Sequence, residues 1–308
     1  MSWSEDSLHR WLATRRKPKG LVGSQGHDAA VLAARPGRSV LCTDACVEGV
    51  HYARGESAAR VGAKAAARSL SDLAACGAEP QALLLALRAP LETKESHLRA
   101  LITGVANLGE RFGAPLVGGD LTCAPGPISL TVCAQGFLAG SAKPVARDRA
   151  RVGQVVLLTG PVGGSRMGRH LEFEPRIQAG RALAGAGATV LMDVSDGLAL
   201  DLARIARASK VGIRLDTIPV HRDALRLERR DGMGSLEHAL FDGEDHELIA
   251  CLAPNLWKRA ASRLLAQIPD LVVIGQVIKG TGLHLNPDLP VRLPADRTRW
   301  GWIHGGAE

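Results

Sequence analysis

Short apolar runs of strand length alternate along this chain with longer segments of helical period, and the alternation runs through twice with a break between. Arg38 to Thr43 is an apolar run that precedes Asp44, and Ser57 to Cys76 is an alanine-rich helical stretch ended by Gly77. Gln81 to Arg88 reads as a strand, Thr93 to Phe112 as a helix closed by Gly113, and Pro115 to Val117 and Ile128 to Leu138 as further strands. From Ala139 to Gly153 no period survives; Gly140, Pro144 and several charges give that stretch the composition of a linker. Beyond it come strands at Gln154 to Thr159, Thr189 to Met192, Val211 to Leu215, His246 to Leu252 and Leu271 to Ile278. Helices alternate with them at Arg176 to Ala186, Leu198 to Ser209 and Trp257 to Gln267, ahead of a proline-rich tail that carries Trp300 and Trp302. Two α/β units are therefore expected, in residues 1–140 and 141–308, and 308 residues suffice for both.

Composition narrows the function. A hydrophobic content of 46% fills two cores, while no run reaches the roughly 18 apolar residues that a bilayer span requires. The start, with Glu5 and Asp6, lacks the basic and apolar regions of a secretory signal, so a cytoplasmic protein without a membrane role is expected. Cysteines 42, 46, 76, 123, 133 and 251 include no C-x-x-C pair; reduced core cysteines are expected, and no zinc site. A net charge of +7 raises the question of nucleic acid, but aromatics are only 3% and the one dense basic stretch, Arg15 to Lys19, precedes the first apolar strand. The excess charge suits a solvated surface and a field that favours small anionic substrates, not a nucleic-acid partner.

Acidic residues recur beside glycines and turns: at Asp28, Asp44, Asp72, Gly118-Gly119-Asp120, Asp193-Val194-Ser195-Asp196-Gly197 and Asp242-Gly243-Glu244-Asp245. One such Asp is an ordinary turn residue. If the fold brings several together, they repel one another and must take up protons or bind cations, and an oxygen-only ligand set suits magnesium shared with substrate phosphates. Gly118, Gly119 and Gly197 would let the backbone approach a phosphate closely, with a hydroxyl from Ser195 or Thr43 nearby. No Walker loop or dinucleotide fingerprint occurs.

These motifs, in order, resemble the thiamine-monophosphate kinase family. They are Gly26-x-Asp28-Ala29-Ala30, Thr43-Asp44-x-x-Val47-Glu48-Gly49-Val50-His51, Leu70-Ser71-Asp72-Leu73, Gly118-Gly119-Asp120, Asp193-x-Ser195-Asp196-Gly197-Leu198 and Gly243-Glu244-Asp245-x-Glu247-Leu248. The resemblance implies a two-domain aminoimidazole ribonucleotide synthetase-like architecture of the α/β (α+β) class, mixed sheets flanked by helices. The N-terminal domain would bind ATP and metal and dimerise; the C-terminal domain would complete the site. The implied reaction is direct transfer of the ATP γ-phosphoryl group to thiamine monophosphate, giving thiamine diphosphate, driven by several Mg2+ ions and by positioning, with no single catalytic side chain. By motif, Asp28, Cys42, Thr43, Asp44, Asp72, Asp120, Asp193 and Asp196 are implied metal ligands. Gly119, Asp120, Arg147 and Ser195 would contact ATP, and His51, Glu244 and Trp302 the substrate. A homodimer, pairing sheet to sheet, is also implied.

The chain departs from the family pattern in places. His27 stands where a second acid is usual, Ser69 where Asn is usual, and His246 where Tyr is usual. Between Gly163 and Arg176 the segment is shorter than usual, with Phe173 in place of an expected proline. Two alternatives stay open: a relative that phosphorylates a different small acceptor, and a catalytically silent nucleotide-binding homologue.

Overall fold

The computed structural model describes residues 3–22, 29–140 and 144–303, so Asp28 and its neighbour His27 lie outside the described residues. The chain divides into two compact units, one of Met1–Leu73 with Ala78–Lys143 and one of Ala74–Gly77 with Pro144–Glu308.

The first unit holds α1 (Glu5–Ala13), a short pair β1 (Leu21–Val22) and β2 (Val31–Leu32), and a sheet of β3 (Gly37–Val47), β4 (Glu79–Ala89), β5 (Leu116–Cys123) and β6 (Ser129–Ala139). Its order is β3-β6-β4-β5, antiparallel except for β4 and β5. Those two run parallel because α3 (Glu95–Arg111) carries the chain back between them. The alanine-rich α2 (Ala58–Ala75) crosses α3 at two glycines. A β-carbon on Gly62 would lie 2.0 Å from the Leu101 carbonyl oxygen, and one on Gly104 2.2 Å from that of Ala59. Small residues therefore set how closely these helices approach.

Strand alternation sorts the sheet into two faces. The row Asp44–Val132–Leu85–Gly119 lies on the face where Val132 and Leu85 are buried. The next row, Thr43–Cys133–Leu84–Gly118, lies on the opposite face, where Leu41 is 68% and Leu84 41% exposed.

The second unit holds β7 (Val155–Leu158), α4 (Ile177–Gly185), β8 (Val190–Asp193), α5 (Leu198–Ser209), β9 (Gly212–Leu215), α6 (Arg222–Asp231), α7 (Ser235–Phe241), β10 (Leu248–Leu252), α8 (Pro254–Gln267), β11 (Val272–Ile278) and β12 (Gly282–Leu285). Its six strands lie in the order β12-β9-β11-β7-β10-β8, with only β12 and β9 parallel. All five residues of β10 are buried, as a central strand covered on both faces requires. The core gathers Val156, Leu158, Met192, Leu202, Ile205, Ile213, Ile249 and Ile274. No helix among the described residues is long and apolar enough to cross a membrane.

Gly119 lies close against its neighbouring strand: a β-carbon there would lie 1.9 Å from the Leu85 carbonyl oxygen. Two expectations need correction. Asp44 and Asp120 do not follow their strands but sit inside β3 and β5. Of the six cysteines, only Cys46 and Cys251 are buried, Cys123 is exposed, and Cys42, Cys76 and Cys133 are half-buried. The pair α6 and α7 falls where charge dominates, seven of the ten residues from Arg222 to Asp231 being charged.

The glycine contacts make a stability prediction. Gly119→Ala should destabilise by about 1–3 kcal/mol through overpacking. Gly185→Ala, where a β-carbon meets nothing within 4 Å, should instead stabilise by up to about 1 kcal/mol. Urea unfolding midpoints of the two variants check both signs.

Candidate functional site

In the second unit the topology collects loops at one sheet end. Because β10 runs antiparallel to both β7 and β8, its start lies beside the ends of those two strands. Three segments converge there: the glycine turn after β7, the Asp193–Gly197 turn after β8, and the Asp242–Glu247 approach to β10. The approach is conformationally unusual, with φ of 73° at Gly243 and 53° at both Glu244 and His246. Two non-glycine residues in the left-handed region within three positions mark backbone held by its surroundings, a feature concentrated at functional sites.

Hydrogen bonds hold it. Asp245, buried between those two residues, accepts the Gly163 N–H at 2.9 and 3.0 Å and faces the Arg169 guanidinium at 2.8 Å. Burial pushes its carboxyl up to about 7 against the opposing pull of Arg169 and the Gly163 N–H. Asp242 accepts the Gly164 N–H at 2.8 Å, and the Ser165 hydroxyl donates to the Gly243 carbonyl at 2.6 Å. The Glu244 N–H donates to the Ser195 carbonyl at 2.7 Å and the His246 N–H to the Val194 carbonyl at 2.8 Å. Side chains follow the backbone: Glu244 meets His170 Nδ1 at 3.1 Å, and Asp193 meets His246 Nδ1 at 3.1 Å. Glu247 pairs with Arg176 and accepts the Thr159 hydroxyl.

Asp196 is paired with Arg204 from α5, which also binds Asp201 at 2.7 Å. Asp201 Oδ2 accepts the N–H groups of Ser195 and Asp196 at 3.0 and 3.1 Å, fixing the turn that carries both. Burial pushes the Asp201 carboxyl up to about 7; Asp196 and Asp193 add to the rise and Arg204 opposes it. The tail reaches the same turn: the Trp302 N–H donates to the Asp196 carbonyl at 2.8 Å, and the Arg166 guanidinium lies 5.5 Å from the centre of the Trp302 ring. Arg147 is exposed, its carbonyl accepting the Ser209 hydroxyl at 3.2 Å.

In the first unit Asp44 lies 3.5 Å from Arg68 of α2, and Asp72 stands four residues on from Arg68, on the same helix face. Cys42 Sγ donates to the Ser69 carbonyl at 3.1 Å, so its side chain turns toward α2. Thr43 and Asp120 are exposed on the opposite face from Asp44, on the two edge strands, and Asp120 accepts the Thr122 hydroxyl at 2.8 Å. Three strand spacings, about 14 Å, separate those edges. His51 Nδ1 accepts the Val47 N–H at 3.1 Å, and the fully buried Lys64 donates to the His51 carbonyl at 2.6 Å. Among the described residues no three His, Cys, Asp or Glu side chains are grouped to hold a metal ion.

Residues 26–138 match the family model described as AIR synthase related protein, N-terminal domain, and residues 151–286 the corresponding C-terminal domain. The thiamine-monophosphate kinase of Rhodopirellula baltica is 37% identical over 283 residues, covering 88% of this chain and 87% of the relative. This chain belongs to the thiamine-monophosphate kinase family. The Bacillus subtilis member is 31% identical, with 83% and 85% covered. The crystal structure of the family member from Stenotrophomonas maltophilia superposes with a TM-score of 0.77 at 30% identity, covering 93% of this chain and 98% of that one. A structure of AaThiL complexed with AMPPCP and TMP superposes with a TM-score of 0.74 at 27% identity, 91% of each chain being covered. The fold is accordingly that of the AIR synthase-like group expected from the motifs.

Asp201, Arg204, Arg169 and Asp245 were not singled out by motif reasoning for the part they play. One signal was legible: Asp201 falls on the apolar face of its helix, between Leu198, Leu202 and Ile205, where an acid has to find partners.

Asp201→Asn keeps an acceptor for the two turn N–H groups, whereas Asp201→Ala leaves them without one and removes one of the two carboxylates that Arg204 pairs with, and should destabilise by about 3 kcal/mol. The pH dependence has a defined sign. With its folded pKa raised from 3.8 to about 7, Asp201 is ionised in the unfolded chain but protonated in the folded one between those values. It therefore makes stability fall as pH rises from about 4 to about 7. Urea titrations across that range should show a shallower decline in Asp201→Asn than in the parent.

Proposed function

We propose that the chain transfers the γ-phosphoryl group of ATP to the phosphate of thiamine monophosphate, giving thiamine diphosphate. The observation that carries this reading is the match over nine-tenths of the chain to a relative solved with AMPPCP and TMP. Joining two phosphates requires their charge to be neutralised and their oxygens aligned, which is a task of electrostatics and positioning.

The donors fit magnesium in kind. Asp44, Asp72, Asp120, Asp193 and Asp196 offer carboxylate oxygens, Thr43 a hydroxyl, and Cys42 only its backbone oxygen since its thiol is turned to Ser69. Asp28 belongs to the same proposed set. Bound there, magnesium would neutralise phosphate charge. Arg147, exposed and permanently charged, would clamp phosphate oxygens. Gly119, Asp120 and Ser195 complete the proposed ATP contacts.

His51 is prepared for an anion. Because Nδ1 accepts the Val47 N–H, the ring proton resides on Nε2, which can donate to a phosphate oxygen of the acceptor. Glu244 and Trp302 would hold the cationic thiamine end, the carboxylate by charge and the indole face by cation–π attraction. Trp302 is 46% exposed, and the Arg166 guanidinium against its ring is the same kind of contact. A homodimer is part of the reading: the solvent face of the first sheet presents Leu41 and Leu84 beside Thr43, an apolar patch suited to a second copy.

Purified protein with ATP, magnesium and thiamine monophosphate should form thiamine diphosphate, with none from thiamine. ATP binding without that product would favour another acceptor or a silent homologue. Asp44→Asn and Asp120→Asn should each abolish turnover with little change in melting temperature, and His51→Ala should raise KM for thiamine monophosphate more than for ATP. Wild-type rates in both Asp variants would overturn the metal assignment. Sedimentation should give a dimer that Leu41→Glu with Leu84→Glu converts to a monomer.

A further inference from the structure

Two of the chain's departures from the family pattern touch each other. The rings of Phe173 and His246 stack with centroids 3.9 Å apart and planes 14° from parallel. His246 is 3% exposed and stands in the left-handed backbone region at φ 53°. Its Nδ1 lies 3.1 Å from Asp193 Oδ2, and its buried Nε2 has no hydrogen-bond partner among the described residues. An ionised carboxylate only accepts, so Nδ1 carries the proton and donates.

We propose that His246, clamped by Phe173, is a positioning residue for Asp193. The stack fixes the ring plane, the left-handed backbone fixes its direction, and the Nδ1–H fixes one carboxylate oxygen and with it the plane of the Asp193 carboxylate. The arrangement is that of an outer-shell donor orienting a ligand carboxylate. It rests on the reading of Asp193 as a magnesium ligand.

Substitutions that mimic one nitrogen at a time test this. In His246→Asn the amide nitrogen occupies roughly the place of Nδ1, and Asn tolerates the left-handed backbone. In His246→Gln the amide reaches toward the place of Nε2, and His246→Phe keeps the stack without a donor. Binding of magnesium with AMPPCP is measured by calorimetry, beside kcat, KM and melting temperature. Asn should stay near the parent in magnesium affinity, while Gln and Phe should weaken it by about 10- to 100-fold. Phe173→Ala should weaken it in the parent but not further in His246→Phe. Nitrogen-15 NMR of histidine-labelled, metal-free protein should show His246 carrying a proton on Nδ1. A bare Nδ1, or equal magnesium affinity in the Asn, Gln and Phe variants, overturns the proposal. If magnesium binds the parent only weakly and no variant or Asp193→Asn changes it, the metal reading of Asp193 fails instead, and the NMR result still decides the hydrogen bond.

Discussion

Burial of the Asp245 carboxylate is the constraint from which the second unit's loop cluster follows. A charge removed from water has to be met by donors, and here they are the Gly163 N–H and the Arg169 guanidinium. The bond from Gly163 brings the turn after β7 against the approach to β10, and Asp242 with Gly164 and Ser165 with Gly243 repeat the tie in both directions. Glycine is required at the contact, since a β-carbon on Gly163 would lie 2.6 Å from the Ala239 nitrogen. With Asp245 facing inward, the chain on either side of it must turn sharply, and Glu244 and His246 take up left-handed geometry. Their backbone N–H groups then reach the turn after β8, so one buried acid organises three loops.

Several of the candidate acids have a basic neighbour of their own. Asp44 meets Arg68, Asp196 meets Arg204, Asp193 meets His246 and Asp245 meets Arg169. The repulsion expected of a string of carboxylates is thus relieved in part within each unit. Such pairs contribute little stability in themselves when partly exposed, but they hold the carboxylates in defined orientations.

Much of this was legible in the chain. The strand and helix alternation located nearly every long element, because their periods are set by burial on one face or two. Leu198 to Ser209, closed by Lys210 in the left-handed region, matched the structure at both ends. What escaped were elements with a weak hydrophobic signal: seven of the ten residues of α6 are charged, and β12 is four residues long. At the site, motifs named the acids but not their partners, since Arg169, Arg204 and Asp201 act through geometry that only folding supplies. At Gly119 a close approach to the neighbouring strand already demands the missing side chain that a close approach to a ligand would also demand.

The docking of the tail has a consequence for how such a site can change over generations. Trp302 is held by its own backbone N–H on the Asp196 carbonyl, and Gly301 fits under it because a β-carbon there would lie 2.2 Å from that same oxygen. Neither contact uses the indole. Position 302 is therefore a socket: the glycine before it and the path of the chain are set by backbone contacts that any residue displayed there would keep. A lineage can thus alter what the surface beside Asp196 recognises by drifting at one codon, with the hydrogen-bonded frame beneath it untouched.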